Sequence, residues 1–320
     1  MRIARRHFLY LAGASALAPI RSAWPQSWPA KPVRTLVGYP AGITPDTVAR
    51  LVAARLSERI GQQFIVENRP GAGTSLAAEQ AVRSQPDGYT LLLAAAANTI
   101  NTSLYPKLSF NFNRDLAPVA SIGGVVFIMV AHPSVPAKTV SEFVAYAKAH
   151  PGKINMASRG IGSLTHVFGE LFKMMAGVDL VHVPYNADYT TDLLSGRVQV
   201  AFNAVAESAG YIRDGRLNAL GITNAKRFAE LPNIPTISES LPGYETSGWL
   251  GIVAPKATPG AVVEKLNGSI NNIVAEPAIQ KRLVGMGIAP MSMSSAAFGK
   301  FMAAETDKWA KVIQFAKIKV

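Results

Sequence analysis

The sequence predicts an α/β fold with a parallel sheet, and three observations carry that prediction. Short β-rich apolar runs alternate with stretches of helical apolar spacing. One unit, a strand followed by a glycine-rich turn and a helix, occurs at 34–60 and again at 154–177. The chain has 320 residues, 49% of them hydrophobic, which supports a large core and excludes a mainly disordered protein. That length suits about two domains at ~150 residues each.

Residues 1–23 read as an export signal. Arg2, Arg5 and Arg6 form a basic start, Phe8–Ile20 an apolar stretch too short to span a bilayer, and Ser22-Ala23 a small-residue end. Arg5-Arg6-His7-Phe8-Leu9 is a partial twin-arginine match, with Ala4 and Tyr10 departing from it, so the export route stays open. A buried N-terminal helix is the alternative, and Pro19 and the Trp24–Pro29 stretch argue against it. No later stretch of 18 apolar residues occurs, so the mature chain is expected to be soluble.

The elements then follow in order. Arg34–Tyr39 is a strand leading into Pro40–Asp46. Thr44 is placed as the N-cap of a helix with Pro45 at its first position. Val48, Leu51, Val52, Leu56 and Ile60 form its apolar stripe, and Gly61 ends it. Phe64–Val66 is a strand, Gly71-Ala72-Gly73 opens a helix to Val82, and Pro86-Asp87-Gly88 turns into the strand Tyr89–Ala94. Val125–Ala131 is a further apolar run. Ser141–Ala149 is a helix, Ile154–Ala157 a strand and Leu164–Ala176 a helix closed by Gly177. Leu180–Val183, Val198–Phe202, Ala219–Thr223 and Trp249–Ala254 read as strands. Helices are expected at Val262–Val274, Ala278–Val284 and Ala296–Ala316.

Composition removes several function classes. Cysteine is absent, which excludes disulfides, thiolate metal sites and cysteine nucleophiles. The five histidines show no HExxH or HxH spacing. The net charge is +12, or +8 without the four arginines of residues 1–23. The remaining cations are spread singly, unlike the concentrated patch of a nucleic-acid binder; a diffuse positive field favours small anions.

Two turns could hold such an anion. In Ser158–Ser163, Gly160 and Gly162 let the backbone turn toward a ligand, and Ser163 can cap the next helix, whose N-terminus carries free N–H groups and partial positive charge. Ala41–Asp46 repeats the arrangement. A plain capped strand–helix turn is the alternative for each. Gly71-Ala-Gly73 and Gly160-Ile-Gly162 are not dinucleotide fingerprints, because Leu76 and Thr165 stand where the third glycine belongs. His166 and Glu170, four apart on one helix, read as a structural pair. Asp188 and Asp192 suit turn and cap roles. No nucleophile–base constellation is found, so no catalytic residue, metal or cofactor is expected.

Together the motifs resemble one family along essentially the whole mature chain. Pro40-Ala-Gly42…Asp46-Thr-Val-Ala-Arg50, Val66-Glu-Asn-Arg-Pro-Gly-Ala-Gly73, Pro86-Asp-Gly-Tyr-Thr-Leu91, Ile100-Asn101…Leu104-Tyr105 and His132-Pro-Ser-Val-Pro136 open the series. Val181-His-Val-Pro-Tyr185, Asp192-Leu-Leu194…Gly196, Trp249-Leu-Gly-Ile-Val-Ala-Pro255 and Glu305…Lys308-Trp-Ala-Lys-Val-Ile313 complete it. They resemble the Bug-type receptors of tripartite tricarboxylate transporters. The resemblance implies a two-lobed periplasmic binding protein of type II, a Venus flytrap crossed by two strands. Val125–Ala131 and Trp249–Ala254 would be the crossings, 28–127 plus 250–320 the first lobe, and 128–249 the second. It implies a periplasmic, non-catalytic monomer that holds a small carboxylate, often a dicarboxylate or aromatic acid, for permease subunits of the transporter. A receptor for a signalling partner and an enzyme on the same fold are the alternatives. The implied pocket comprises Ala41, Gly42, Ile43, Thr44, Ala97, Asn98, Ser158, Gly162, Ser163, Thr165, Tyr185, Asp188 and Asn203. Two departures stand out. Ile43 replaces a second glycine, so the loop path is expected to differ. The stretch after Tyr185 is about two residues shorter than the family's; Ile43 and Tyr189 favour a ligand with an apolar body, while Asp188 would suit an amine.

Overall fold

The computed structural model describes residues 28–320 except Ala187; the predicted export segment lies outside the described residues. The chain first runs β1 (Val33–Val37), α1 (Thr44–Ile60), β2 (Phe64–Asn68), α2 (Ser75–Val82), β3 (Thr90–Ala95), α3 (Ala96–Leu104), α4 (Phe112–Asp115) and β4 (Leu116–Val125). It continues as β5 (Phe127–Ala131), α5 (Val140–Ala149), β6 (Asn155–Ser158), α6 (Leu164–Ala176), β7 (Val181–Pro184), α7 (Thr190–Leu194), β8 (Val200–Ala204), α8 (Val205–Arg213) and β9 (Asn218–Ile222). It returns as β10 (Gly248–Pro255), α9 (Gly260–Val274), α10 (Pro277–Gly285), β11 (Ile288–Pro290) and α11 (Ser295–Phe315).

Two sheets result, ordered β11-β4-β10-β3-β1-β2 and β7-β6-β8-β5-β9. Both are mixed, so the parallel pairing read from the sequence holds for part of each. β1, β2 and β3 pair in parallel, as do β7, β6 and β8, while β10, β11 and β5 run antiparallel to their neighbours. The cause is the crossing between sheets. A strand that begins at the inter-sheet end, where the parallel strands stop, can only run back the other way.

The first crossing is narrower than the run Val125–Ala131 implied. β4 ends at Val125 and β5 starts at Phe127, so one residue, Val126, passes between the sheets. Its N–H donates to Gly287 O (2.8 Å) and its carbonyl accepts from Val205 N (2.9 Å), one bond into each lobe. The second crossing precedes β10 rather than lying within Trp249–Ala254. Thr223 N donates to Phe127 O (2.9 Å) and Thr246 N to Thr223 O (2.9 Å), before Gly248 pairs with Val125. The two crossings are thereby laced into one strip.

α11 reaches further than its neighbours in sequence. Phe298 and Met302 join the core of the first sheet with Leu36, Ala94 and Trp249. Trp309, Val312 and Ile313 instead join the core of the second with Phe168, Phe172 and Met129. The Trp309 ring stacks on Phe168 at 5.5 Å, and its indole N–H donates to Glu305 Oε2 (3.1 Å). Trp309→Ala is therefore expected to cost about 3–5 kcal/mol in urea unfolding, the usual toll of emptying a buried aromatic site; a cost near that of an exposed substitution would show that the end of α11 lies outside the core.

Candidate functional site

Three strand ends and their following turns lie at the inter-sheet end of the molecule. At the first, β1 runs through Gly38 and Gly42 into α1. Gly42 takes φ +86°, the left-handed region where a side chain is strained. Ile43 takes φ −86° and ψ 166°, ordinary extended backbone. The isoleucine is thus compatible with the loop, because the left-handed requirement falls on Gly42 alone. Ile43 is also the residue at the N-cap position, with no side-chain cap; Thr44 is already helical, not the cap expected for it. What holds this loop is Asp46, only 2% exposed. Its carboxylate accepts from Gly42 N (2.8 Å), Arg50 Nε (3.0 Å) and Asn68 Nδ2 (2.8 Å). Burial pushes the Asp46 carboxyl up, but those bonds and the Arg50 charge outweigh it and leave the group below its ordinary value.

At the second turn, β3 leads into α3. Asn98 is buried, its Oδ1 accepting from Ala95 N (2.8 Å) and its Nδ2 donating to Thr74 Oγ1 (2.9 Å). The side chain expected to face a ligand is spent on joining two loops. Thr74 itself sits at φ +82°. A Cβ at Gly38 would lie 2.7 Å from the Thr74 Cβ, so only glycine permits that approach.

At the third, β6 leads into α6. Gly160 and Gly162 take φ +104° and +77°. Ser163 caps α6 by accepting from His166 N (3.3 Å), and its hydroxyl donates to Gly160 O (2.7 Å). Thr165 Oγ1 accepts from Arg159 N (2.9 Å). Gly162 N donates to His166 Nδ1 (3.1 Å) and Ser163 N to Gly160 O (3.2 Å). The amides of Gly162 and Ser163 are therefore engaged within the turn. Among the described residues, those left without a partner at the start of α6 are Leu164 and Thr165. A Cβ at Gly162 would fall 2.4 Å from Leu104, so the turn abuts the end of α3 from the other lobe.

Residues 48–318 match the pattern of the tripartite tricarboxylate transporter family receptor. The chain belongs to this receptor family. BugT of Bordetella pertussis is 30% identical over 311 residues, which span 96% of this chain and 94% of BugT. A protein of R. palustris solved with adipate has a TM-score of 0.76 at 32% identity, over 91% of this chain and 99% of that one. MatC of Rhodopseudomonas palustris, solved with bound malate, has a TM-score of 0.72 at 28% identity, over 89% and 100%. The two-lobed architecture is shared, and the family is one of receptors, not enzymes.

Within this receptor the remaining expected residues gather on the second sheet. Tyr189 is buried and its hydroxyl donates to Asn203 Oδ1, while Asn203 Nδ2 donates to Ser208 Oγ (3.0 Å). Tyr185 donates to Asp192 Oδ2 (2.8 Å), and its carbonyl lies 3.5 Å from where a Gly160 Cβ would stand. Asp188 accepts from Thr190 N (3.1 Å) and Thr190 Oγ1 (2.7 Å), a local turn role in place of an amine contact. Ala41 and Gly42 are exposed; Ala97, beside Asn98, is half-buried. No hydrogen bond among the described residues joins the loops at 41–44 and 97–98 to the 158–165 turn. The sequence reading passed over Asp46 and Arg159 as site residues. Arg159 bonds Glu207 Oε2 (3.0 Å) and lies 5.8 Å from the Tyr189 ring centroid. The signals available were Asp46 inside the first quoted motif and a lone cation inside a glycine-rich turn.

Behind the third turn lies a polar cluster. His182 Nε2 is 2.6 Å from Ser158 Oγ, its ring stacks on His166 at 3.6 Å, and Glu170 accepts from Lys173 Nζ (2.9 Å). No three His, Asp or Glu among the described residues are grouped to hold a metal. Burial, aided by the neighbouring His166 and Lys173 and opposed by Glu170, pushes the His182 imidazole down to about 4. A histidine kept neutral in the fold but free to protonate at 6.5 when unfolded weakens the fold as protons are added. Stability is expected to fall as pH drops from about 6.5 toward 4. Urea unfolding of wild type and His182→Gln across that window checks it: the variant's curve should be flatter there, and identical slopes would reject the assignment.

Proposed function

We propose that this receptor captures a small organic carboxylate between its lobes and delivers it to the permease subunits of a tripartite tricarboxylate transporter. It does so as a periplasmic monomer, after export directed by residues 1–23. The observation that supports this reading is the pair of glycine-shaped turns at the inter-sheet end, one from each lobe. Each feeds the N-terminus of a helix of at least 13 residues, α1 and α6, where unpaired amides and the helix dipole favour an anion. The net charge of +8 outside residues 1–23 favours anions as well. Relatives solved with adipate and malate agree in ligand class.

The donors follow from what the turns leave free. On the second lobe we assign the carboxylate to the Leu164 and Thr165 amides, with the Thr165 hydroxyl at the rim and the Ser163 hydroxyl, spent on Gly160 O, ordering the turn that presents them. On the first lobe we assign the 41–44 loop, with Gly42 N held on Asp46 and the Ile43 side chain, 43% exposed, offering an apolar surface. Lobe closure then excludes water and strengthens these bonds.

A thermal-shift screen of mono-, di- and aromatic carboxylates against amino acids and amides tests the ligand class. Carboxylates should stabilise the mature protein in proportion to their affinity; stabilisation by amines or neutral solutes alone would overturn the assignment. Ser163→Leu should weaken carboxylate binding by about 10- to 100-fold, because the cap and the Gly160 bond that order the Leu164 and Thr165 amides are lost, while the far-UV spectrum stays native. Unchanged affinity in calorimetry would remove Ser163 from the site.

A further inference from the structure

We propose that His166 is the positioning residue of the second-lobe turn: its Nδ1 holds the Gly162 amide and so leaves the Leu164 and Thr165 amides aimed at the anion. The second half rests on the carboxylate reading above; the first half concerns the ligand-free protein.

A helix leaves its first amides without backbone partners, and which of them stay free decides what the end can bind. His166 is the third residue of α6, where a side chain leans back toward the helix N-terminus. Its ring thus reaches the amide four residues earlier. The other face of the turn is closed by Leu104 against Gly162, so the turn cannot slide away from the imidazole. Nδ1 accepts from Gly162 N only while it carries no proton. Glu170 supplies that condition, since its Oε1 lies 3.7 Å from His166 Nε2 and favours the proton there. Their side chains are only 6% and 5% exposed.

The second histidine completes the arrangement. His182, from β7, stacks on His166 with an interplanar angle of 11° and meets Ser158 Oγ with its own Nε2. Two parallel rings therefore grip the two ends of one turn, Ser158 and Gly162. His182 on β7 and Glu170 and Lys173 on α6 are the ionisable groups facing His166. The cavity beside them, about 600 Å³, is also bordered by Asp179, Lys317 and Lys319.

Three variants separate positioning from packing. Asn at 166 places an acceptor near the Nδ1 position; Gln places one near Nε2; Phe keeps the ring and no acceptor. In the ligand-free protein, Gly162 amide exchange should be as slow in His166→Asn as in wild type, and about tenfold faster in His166→Phe and His166→Gln. Titration with adipate should follow the same order, within about threefold of wild type for Asn and weaker by about tenfold or more for Phe and Gln. Equal Gly162 protection in all four proteins would overturn the proposal, as would the best retention in Phe, which a packing role predicts. Should the Phe variant fail to fold, ring-nitrogen NMR of wild type at pH 7 decides: a proton on Nδ1 refutes the mechanism, and a bare Nδ1 upholds it. If the exchange order holds but wild type ignores adipate, the positioning role stands and the adipate-like ligand falls.

Discussion

One residue of chain between two sheets sets the layout of this receptor. Val126 gives its amide to one lobe and its carbonyl to the other, so neither half of the peptide is left unpaired at the crossing. Strands that run toward this point end there, and their following turns gather on the same side. Strands that leave it must run back antiparallel. The mixed pairing of both sheets and the meeting of the helix N-termini are therefore one consequence, not two. The lacing of Thr223 to Phe127 and of Thr246 to Thr223 keeps the second crossing beside the first.

The two turns proposed to hold the anion solve the same backbone problem by different means. In the first lobe a buried carboxylate, Asp46, organises the loop by accepting from Gly42, Arg50 and Asn68 at once. A charge so placed is tolerated because each of its neighbours is a donor. In the second lobe the work falls to neutral groups: the Ser158 and Ser163 hydroxyls and the imidazoles behind them. A carboxylate in the second position would repel the ligand expected there, whereas Asp46 sits beneath its loop with its charge offset by Arg50.

Much of the architecture was legible in the sequence, for local reasons. Leu164–Ala176 was bounded correctly because Ser163, Gly177 and the apolar period all agree. Among the elements that were not read, two are instructive. β4 was hidden by Pro118, Gly123 and Gly124, which depress strand propensity while serving close contacts to Gly299, Ile288 and Ser247. α3 was hidden because Asn98, Thr99 and Asn101 look like loop residues, yet each is buried and bonded. At the site, the positions of Ser158, Gly162, Ser163 and Thr165 in one turn followed from adjacency. Which amides they leave free did not, since that depends on a ring reaching back from within α6 and on Leu104, which the crossing brings from the opposite lobe.

The path of α11 limits how the lobes can move. Two strands lying side by side form a strip, and a strip both bends across its width and twists along its length. α11 lies off that strip, seats Phe298 in one lobe and Trp309 in the other, and ties Lys308 Nζ to Glu245 O at the second crossing (3.0 Å). A strut anchored at both ends resists twist far more than it resists bending about a parallel line. The receptor is left with one soft degree of freedom in place of two, and any mass attached after Val320 would load the strut that selects it.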